Sequence, residues 1–253
     1  MELLSVNNLS AIVQDDGSKK IIITVSFQVH AGETHVIMGP NGSGKSSLLA
    51  TLMGHPSYQV VDGSVNFLGQ DLFSLRVDQR ARAGLFLSVQ QPYAIPGVIL
   101  SHFLKESFQA LYPTKTVDVY LDRLFEACSV LGIDQALLDR PLYEGFSGGE
   151  KKRCEMLQVL VLQPQLVLLD EIDSGLDADA FKKVQEGLRL FKQWSPQSAV
   201  VCVTHYGHMI EGLRPDMVHV MHKGKFVVSG DMQIAVAITT RGYQPLLHEY
   251  GLV

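Results

Sequence analysis

The run Gly39-Pro40-Asn41-Gly42-Ser43-Gly44-Lys45-Ser46 constrains this chain more than any other stretch. It reads as glycine, four free positions, then Gly-Lys-Ser, with a short strand pattern before it over residues 33–38 and a helical pattern after it over residues 47–53. Gly54 and Pro56 stop that helix. Glycines allow successive backbone N–H groups to turn inward around phosphate oxygens, and the following helix points the positive end of its dipole at the same anion. Lys45 is then placed to reach the β- and γ-phosphates and the Ser46 hydroxyl to bind Mg²⁺. With Ser47 beside them, residues 39–47 form the candidate nucleotide-binding set, and the pattern implies a nucleoside triphosphate.

The rest of the chain is read against that loop. A length of 253 residues, 46% of them hydrophobic, suits one large domain or a core with an inserted lobe. A formal net charge of −5 gives no electrostatic reason to expect nucleic acid. No apolar run approaches the roughly 20 residues that span a bilayer. The opening Met1-Glu2-Leu3-Leu4-Ser5 lacks the basic and apolar regions of a secretory signal, so a cytoplasmic protein is expected. Cys128, Cys154 and Cys202 have no C-x-x-C pairing and read as small core residues, without a metal or cluster of their own.

Residues 3–13 and 21–29 alternate apolar and polar positions around a turn at Asp15-Asp16-Gly17-Ser18, an antiparallel pair, and residues 61–69 read as a further short strand. A buried strand over residues 84–89 ends at Gln90, an amide at the sheet edge where ligands of open α/β sheets bind. Taken alone, Gln90 reads more readily as an ordinary loop residue than as a ligand. From residue 91 the pattern turns helical, with Val117, Leu121, Leu124, Phe125, Cys128 and Leu131 on one face and Gly132 as stop. Phe146-Ser147-Gly148-Gly149-Glu150 then opens a helix, Ser147 and Glu150 having capping-box spacing. Two glycines there leave N–H groups for an anion, and an ordinary capped helix explains the run as well.

Residues 166–169 are apolar on both faces, as at the centre of a parallel sheet, and deliver Asp170 and Glu171 at the strand end. Carboxylates are costly in such a setting unless they hold a cation or do chemistry. Asp170 fits a Mg²⁺ ligand and Glu171 a base for water. Ser174-Gly175-Leu176-Asp177 leads into a helix with Phe181, Val184, Leu188 and Phe191 on its apolar face. The strand over residues 199–204 ends at His205, either a satisfied loop residue or an imidazole near phosphate. A hairpin around Lys223-Gly224 and a short helix with a tail close the chain.

In this order, the phosphate loop, Gln90, Ser-Gly-Gly-Glu, Leu-Leu-Asp-Glu, Ser-Gly-Leu-Asp and His205 resemble the ATP-binding cassette (ABC) ATPases over nearly the whole length. The resemblance implies an α/β cassette spanning residues 1–253. Residues 1–90 and 164–253 would form a nucleotide-binding core with a parallel sheet and an N-terminal antiparallel β subdomain, and residues 91–163 an inserted helical lobe. It implies ATP hydrolysis, with Lys45, Gln90, Glu171 and His205 catalytic and Ser46, Gln90 and Asp170 around Mg²⁺. Two copies would enclose two ATP molecules, Ser147, Gly148 and Gly149 of one acting on the γ-phosphate held by the other, with Asp177 at the seam.

Glu150-Lys151-Lys152-Arg153 and Tyr206 stand where most transporter subunits carry a Gln-rich stretch and an acid. With Gln90-Gln91-Pro92 and Ile95-Pro96-Gly97 they resemble the soluble branch that serves Suf iron–sulfur cluster assembly. That branch implies SufB- and SufD-like scaffold proteins as partners, docked through the lobe, with Tyr93 and Ile95 as candidate contacts or as packing within it. The alternatives are a membrane transporter's nucleotide-binding subunit and a regulator without turnover, the latter disfavoured by the full set of catalytic residues. Residues 1–26 contain no aromatic side chain to stack on adenine, so an aliphatic contact near Lys20-Ile21 is expected instead.

Overall fold

Alternation in the first thirty residues is resolved as pairing. A computed structural model describes residues 1–14 and 19–249, and the turn expected at residues 15–18 lies outside the described residues. Strand β1 (Glu2–Val13) runs antiparallel to β2 (Lys20–His30) on one side and to β4 (Tyr58–Phe67) on the other. Between them in sequence come β3 (Thr34–Met38) and α1 (Lys45–Met53), and β5 (Gln70–Asp71) closes a four-stranded sheet of order β2-β1-β4-β5. Leu4, Val6, Leu9 and Ala11 point into the core with Ile22, Val25 and Val29. A short helix, α2 (Val77–Arg82), follows. Its buried Arg80 donates to the carbonyls of Leu75, Thr51 and Leu52, so a cation caps the C-terminal end of α1.

The second sheet has the order β10-β9-β3-β8-β7-β6, built from β6 (Leu85–Ser88), β7 (Leu166–Asp170), β8 (Ala199–Val203), β9 (Met217–His222) and β10 (Lys225–Gly230) around β3. Strands β7, β8, β3 and β9 are mutually parallel, and β10 returns antiparallel to β9. Every residue of β3, β7 and β8 is buried, which is why residues 36–38, 166–169 and 199–203 are apolar without alternation.

Two compact units contain these elements: residues 1–87, 165–171 and 197–253 in the first, residues 88–164 and 172–196 in the second. The first also holds α8 (Gly207–Leu213), α9 (Met232–Arg241) and α10 (Tyr243–Glu249); the second holds α3 (Leu100–Leu111), α4 (Val117–Leu131), α5 (Gln135–Leu138), α6 (Gly148–Leu162) and α7 (Ala178–Trp194).

The apolar face expected for α4 is rotated. Tyr120, Leu124, Ala127, Cys128 and Leu131 are buried, whereas Val117 and Phe125 are about half exposed, at 47% and 52%. Tyr120 decides the face: its ring tilts against Phe108 and its hydroxyl donates to the Ser101 carbonyl, so a residue with a polar tip takes an inward position.

One polar chain runs through the core of the first unit. His35 Nε2 lies 3.0 Å from Glu33 Oε2, His35 Nδ1 lies 3.0 Å from His219 Nε2, and His219 Nδ1 lies 2.7 Å from Ser229 Oγ. Each ring can donate from Nε2 and accept at Nδ1, so two neutral histidines complete the chain from the Ser229 hydroxyl to the Glu33 carboxylate. His219 also stacks on Phe226 at 4.8 Å.

Candidate nucleotide site

Parallel neighbours place their carboxyl ends side by side, and here those ends carry the polar residues. After Met38 of β3 the loop begins at Gly39, β7 ends on Asp170 with Glu171 next, and β8 is followed by Thr204 and His205. Lys45, Ser46, Asp170, Glu171 and His205 thus meet within the first unit.

Two loop glycines are there for space as well as dihedral angle. Gly39 has φ of +151°, and a Cβ would come 2.1 Å from the Met221 carbonyl oxygen; Gly44 has φ of +107°, and a Cβ would come 2.8 Å from that of Ile21. Among the described residues the buried Ser43 hydroxyl has no hydrogen-bond partner. Ser47 Oγ donates to Tyr58 Oη at 3.2 Å, while Asn41 and Gly42 are exposed. Lys45 folds back on its own loop, its Nζ 2.8 Å from the Gly39 carbonyl and 3.1 Å from that of Pro40. Burial holds its pKa below the ordinary lysine value, against the raising effect of Glu171 and Asp170. The carbonyls occupy donors that phosphate oxygens would satisfy better.

Ser46 Oγ donates to Asp170 Oδ1 at 2.9 Å, and Asp170 is buried. A hydroxyl beside a buried carboxylate is an oxygen set suited to a hard cation such as Mg²⁺. Glu171 has φ of +48°, a conformation unfavourable for a residue with a Cβ, with its N–H held by the Val203 carbonyl at 3.0 Å. His205 Nε2 lies 3.6 Å from Glu171 Oε1 and is buried without a hydrogen-bond partner among the described residues. Desolvation holds the imidazole below its ordinary pKa, Lys45 adds to that, and Glu171 opposes it. The two lowering effects favour the neutral ring.

Gln90, Tyr93, Ile95, Ser147, Gly148, Gly149 and Asp177 lie in the second unit. Ser147 is the N-cap of α6: its hydroxyl accepts from Glu150 N at 3.2 Å and its own N–H donates to the Glu150 carboxylate at 2.7 Å. Nothing stands within 4 Å of a Cβ built on Gly148, while one on Gly149 meets Ala180 Cβ at 3.3 Å. Asp177 caps α7 by accepting from Ala180 N at 2.7 Å. The Gln90 and Val89 carbonyls accept from Lys152 Nζ at 2.9 and 3.1 Å. Tyr93 is 88% exposed and Ile95 44% exposed.

Sequence reasoning missed Tyr243. Its hydroxyl oxygen accepts from Gly39 N at 3.1 Å and lies 3.2 Å from His205 Nδ1, across 204 residues of chain from the loop. No local pattern announces such a contact.

Residues 22–174 match the family described as ABC transporter. A probable ATP-dependent transporter of Synechocystis is 44% identical over 95% of this chain and 94% of its own, and the probable ATP-dependent transporter SufC of Escherichia coli 42% identical over 95% and 97%. The chain belongs to the ATP-binding cassette family. As a cassette it binds ATP and is an ATPase. Two solved structures, at 20–22% identity, share its fold: an ABC transporter's ATP-binding subunit with a TM-score of 0.80 over 98% of this chain and 99% of that one, and a dimeric cassette bound to ADP and Pi with a TM-score of 0.76 over 91% and 99%. The expected α/β cassette, with its antiparallel sheet and parallel-strand core, is the observed fold. Among the described residues, no helix is long and apolar enough to cross a membrane.

Proposed function

We propose that this cassette is the ATP-hydrolysing subunit of a Suf-type iron–sulfur cluster assembly machine in the cytoplasm, acting on SufB- and SufD-like scaffold proteins. The observation that carries the reading is the 42% identity to SufC along almost the whole of both chains. The sequence at Glu150-Lys151-Lys152-Arg153 and Tyr206, which departs from most transporter subunits, supports it.

The chemistry follows from the side chains. Lys45 would exchange the Gly39 and Pro40 carbonyls for β- and γ-phosphate oxygens, with residues 39–47 around the triphosphate. Ser46 and Asp170 would hold Mg²⁺, with Gln90 proposed as a further oxygen ligand, and the cation would neutralise charge on the phosphates. Glu171 would orient a water for in-line attack on the γ-phosphate and take its proton. His205, whose Nε2 has no hydrogen-bond partner among the described residues, would hydrogen-bond a γ-phosphate oxygen. A second copy would supply Ser147, Gly148 and Gly149 to the same phosphate, Asp177 lying at the seam, as the dimeric form of one structural neighbour suggests. Tyr93 and Ile95 are available to a partner because they are exposed.

Capture of the tagged protein from its own cells without detergent, followed by mass spectrometry, tests the role. Soluble SufB- and SufD-like proteins are the expected catch. The relatives' printed description as transporters favours a second reading, and a polytopic membrane protein recovered only with detergent would replace the first by it. Glu171→Gln should bind ATP, hydrolyse it poorly and accumulate as a dimer; normal turnover in that variant would remove Glu171 from the base role.

A further inference from the structure

The Tyr243 hydroxyl has two polar neighbours. Gly39 N–H can only donate, so the phenolic oxygen accepts at 3.1 Å. Among the described residues the remaining phenolic proton has one acceptor, His205 Nδ1 at 3.2 Å. An Nδ1 that accepts leaves the neutral ring's proton on Nε2, the nitrogen that is buried, has no hydrogen-bond partner among the described residues and lies 3.6 Å from Glu171 Oε1. The two rings meet edge to face, with centroids 6.4 Å apart and planes at 83°, which restrains imidazole rotation.

We propose that Tyr243, delivered by α10, is a positioning residue for ATP hydrolysis: it fixes the Nε2–H tautomer and the orientation of His205 while holding the first N–H of the phosphate loop. The inference rests on the role proposed above for His205. Its physical basis is that a neutral histidine donates from one nitrogen only, and the partner of the other nitrogen selects which. A ring in the opposite tautomer would present a lone pair to a phosphate oxygen. The same selection occurs in the core, where the Ser229 hydroxyl stands at His219 Nδ1 and Nε2 faces the next acceptor. Besides Tyr243, Lys45 and Glu171 are the groups that act electrostatically on His205, and neither reaches Nδ1 by a hydrogen bond. Tyr243 also ties residue 39 to the last helix, so the loop and the imidazole are set by one hydroxyl.

The test is ¹⁵N NMR of histidine-labelled protein without nucleotide, alongside steady-state kinetics of Tyr243→Phe. The wild type should show His205 as a single Nε2–H tautomer at neutral pH. Tyr243→Phe keeps the ring packing and loses the hydroxyl; it should show a mixture of tautomers, with kcat about tenfold lower, the scale of one lost hydrogen bond, and KM for ATP within about twofold. A wild-type His205 protonated on Nδ1, or a phenylalanine variant with the same single tautomer and unchanged kcat, overturns the proposal. Should Tyr243→Phe fail to fold, the wild-type spectrum decides alone. Normal turnover in His205→Ala would instead strike the catalytic role of His205 and leave the tautomer result standing.

Discussion

The two ends of one strand, β3, are built on opposite terms. Towards its start, His35 belongs to a polar chain in which every ring nitrogen of His35 and His219 has a partner, from Ser229 to Glu33. Past its other end the polar groups are left short: Ser43 Oγ and His205 Nε2 are buried without hydrogen-bond partners among the described residues, Lys45 rests on its own loop's carbonyls, and Glu171 sits at positive φ. Folding alone would close both ends in the same way. The closed end serves stability, whereas the open end holds groups in readiness for something that is not protein.

Lys45→Ala should separate the two ends of β3 most clearly. Hydrolysis should fall by about 10²–10³-fold, the scale of one lost charge-stabilising donor, while the melting temperature stays equal or rises, because a desolvated cation has been removed. A clear fall in melting temperature would show that the open end also carries the fold.

The closed end responds to acid. Burial holds His35 below its ordinary pKa, with Glu33 pulling the other way, and lowers His219 to about 3, with His35 adding to it. The unfolded chain therefore takes up protons first as pH drops below about 6.5. Stability from the pair is fully present above that pH and is lost as pH falls towards about 3. Between pH 6.5 and 4.5, urea denaturation should show the wild type losing about 2 kcal/mol more than His219→Gln, from one proton bound over two pH units. Turnover of that variant near pH 7.5 should be normal. Equal acid slopes would mean that the pair is not what couples fold to pH.

Ser147 sharpens the contrast because it has both duties. Its hydroxyl caps α6 and is also proposed to meet a partner's phosphate. Ser147→Ala should lose about 1 kcal/mol of stability, seen as a melting temperature lower by about 2–4 °C, together with turnover. Ser147→Asp retains a capping oxygen, so stability should stay near wild type while turnover is still lost to a carboxylate facing phosphate. Turnover that tracks stability in both variants would reduce Ser147 to a cap.

The open end was largely legible in the sequence because its residues fall in contiguous runs after apolar strands, as at Gly39–Ser46 and Asp170-Glu171. Those runs announce strand, turn and side chain together. Tyr243 was not legible, since its partners Gly39 and His205 lie 204 and 38 positions away and only the folded chain joins them. The closed end was equally silent, because His35 and His219 stand singly in different strands. On α4 the periodicity was visible but its phase was not, since Tyr120 counts as polar until its hydroxyl finds a carbonyl. Helix α2 passed unnoticed because six polar-rich residues carry no period of their own.

Lys152 and Glu155, one turn apart on α6, hold the end of β6 from both sides: Lys152 takes the Val89 and Gln90 carbonyls, and Glu155 takes the Ser88 hydroxyl and the Val89 N–H. The two side chains are nearly inaccessible, and Nζ stands 3.6 Å from Oε2. To fray there, the chain must break these hydrogen bonds to two buried side chains, at about 1.5–3 kcal/mol for each one made to a charged group. In the language of hydrogen exchange, the Val89 amide should behave as part of a helix, slowed by about 10²–10³-fold relative to an open loop.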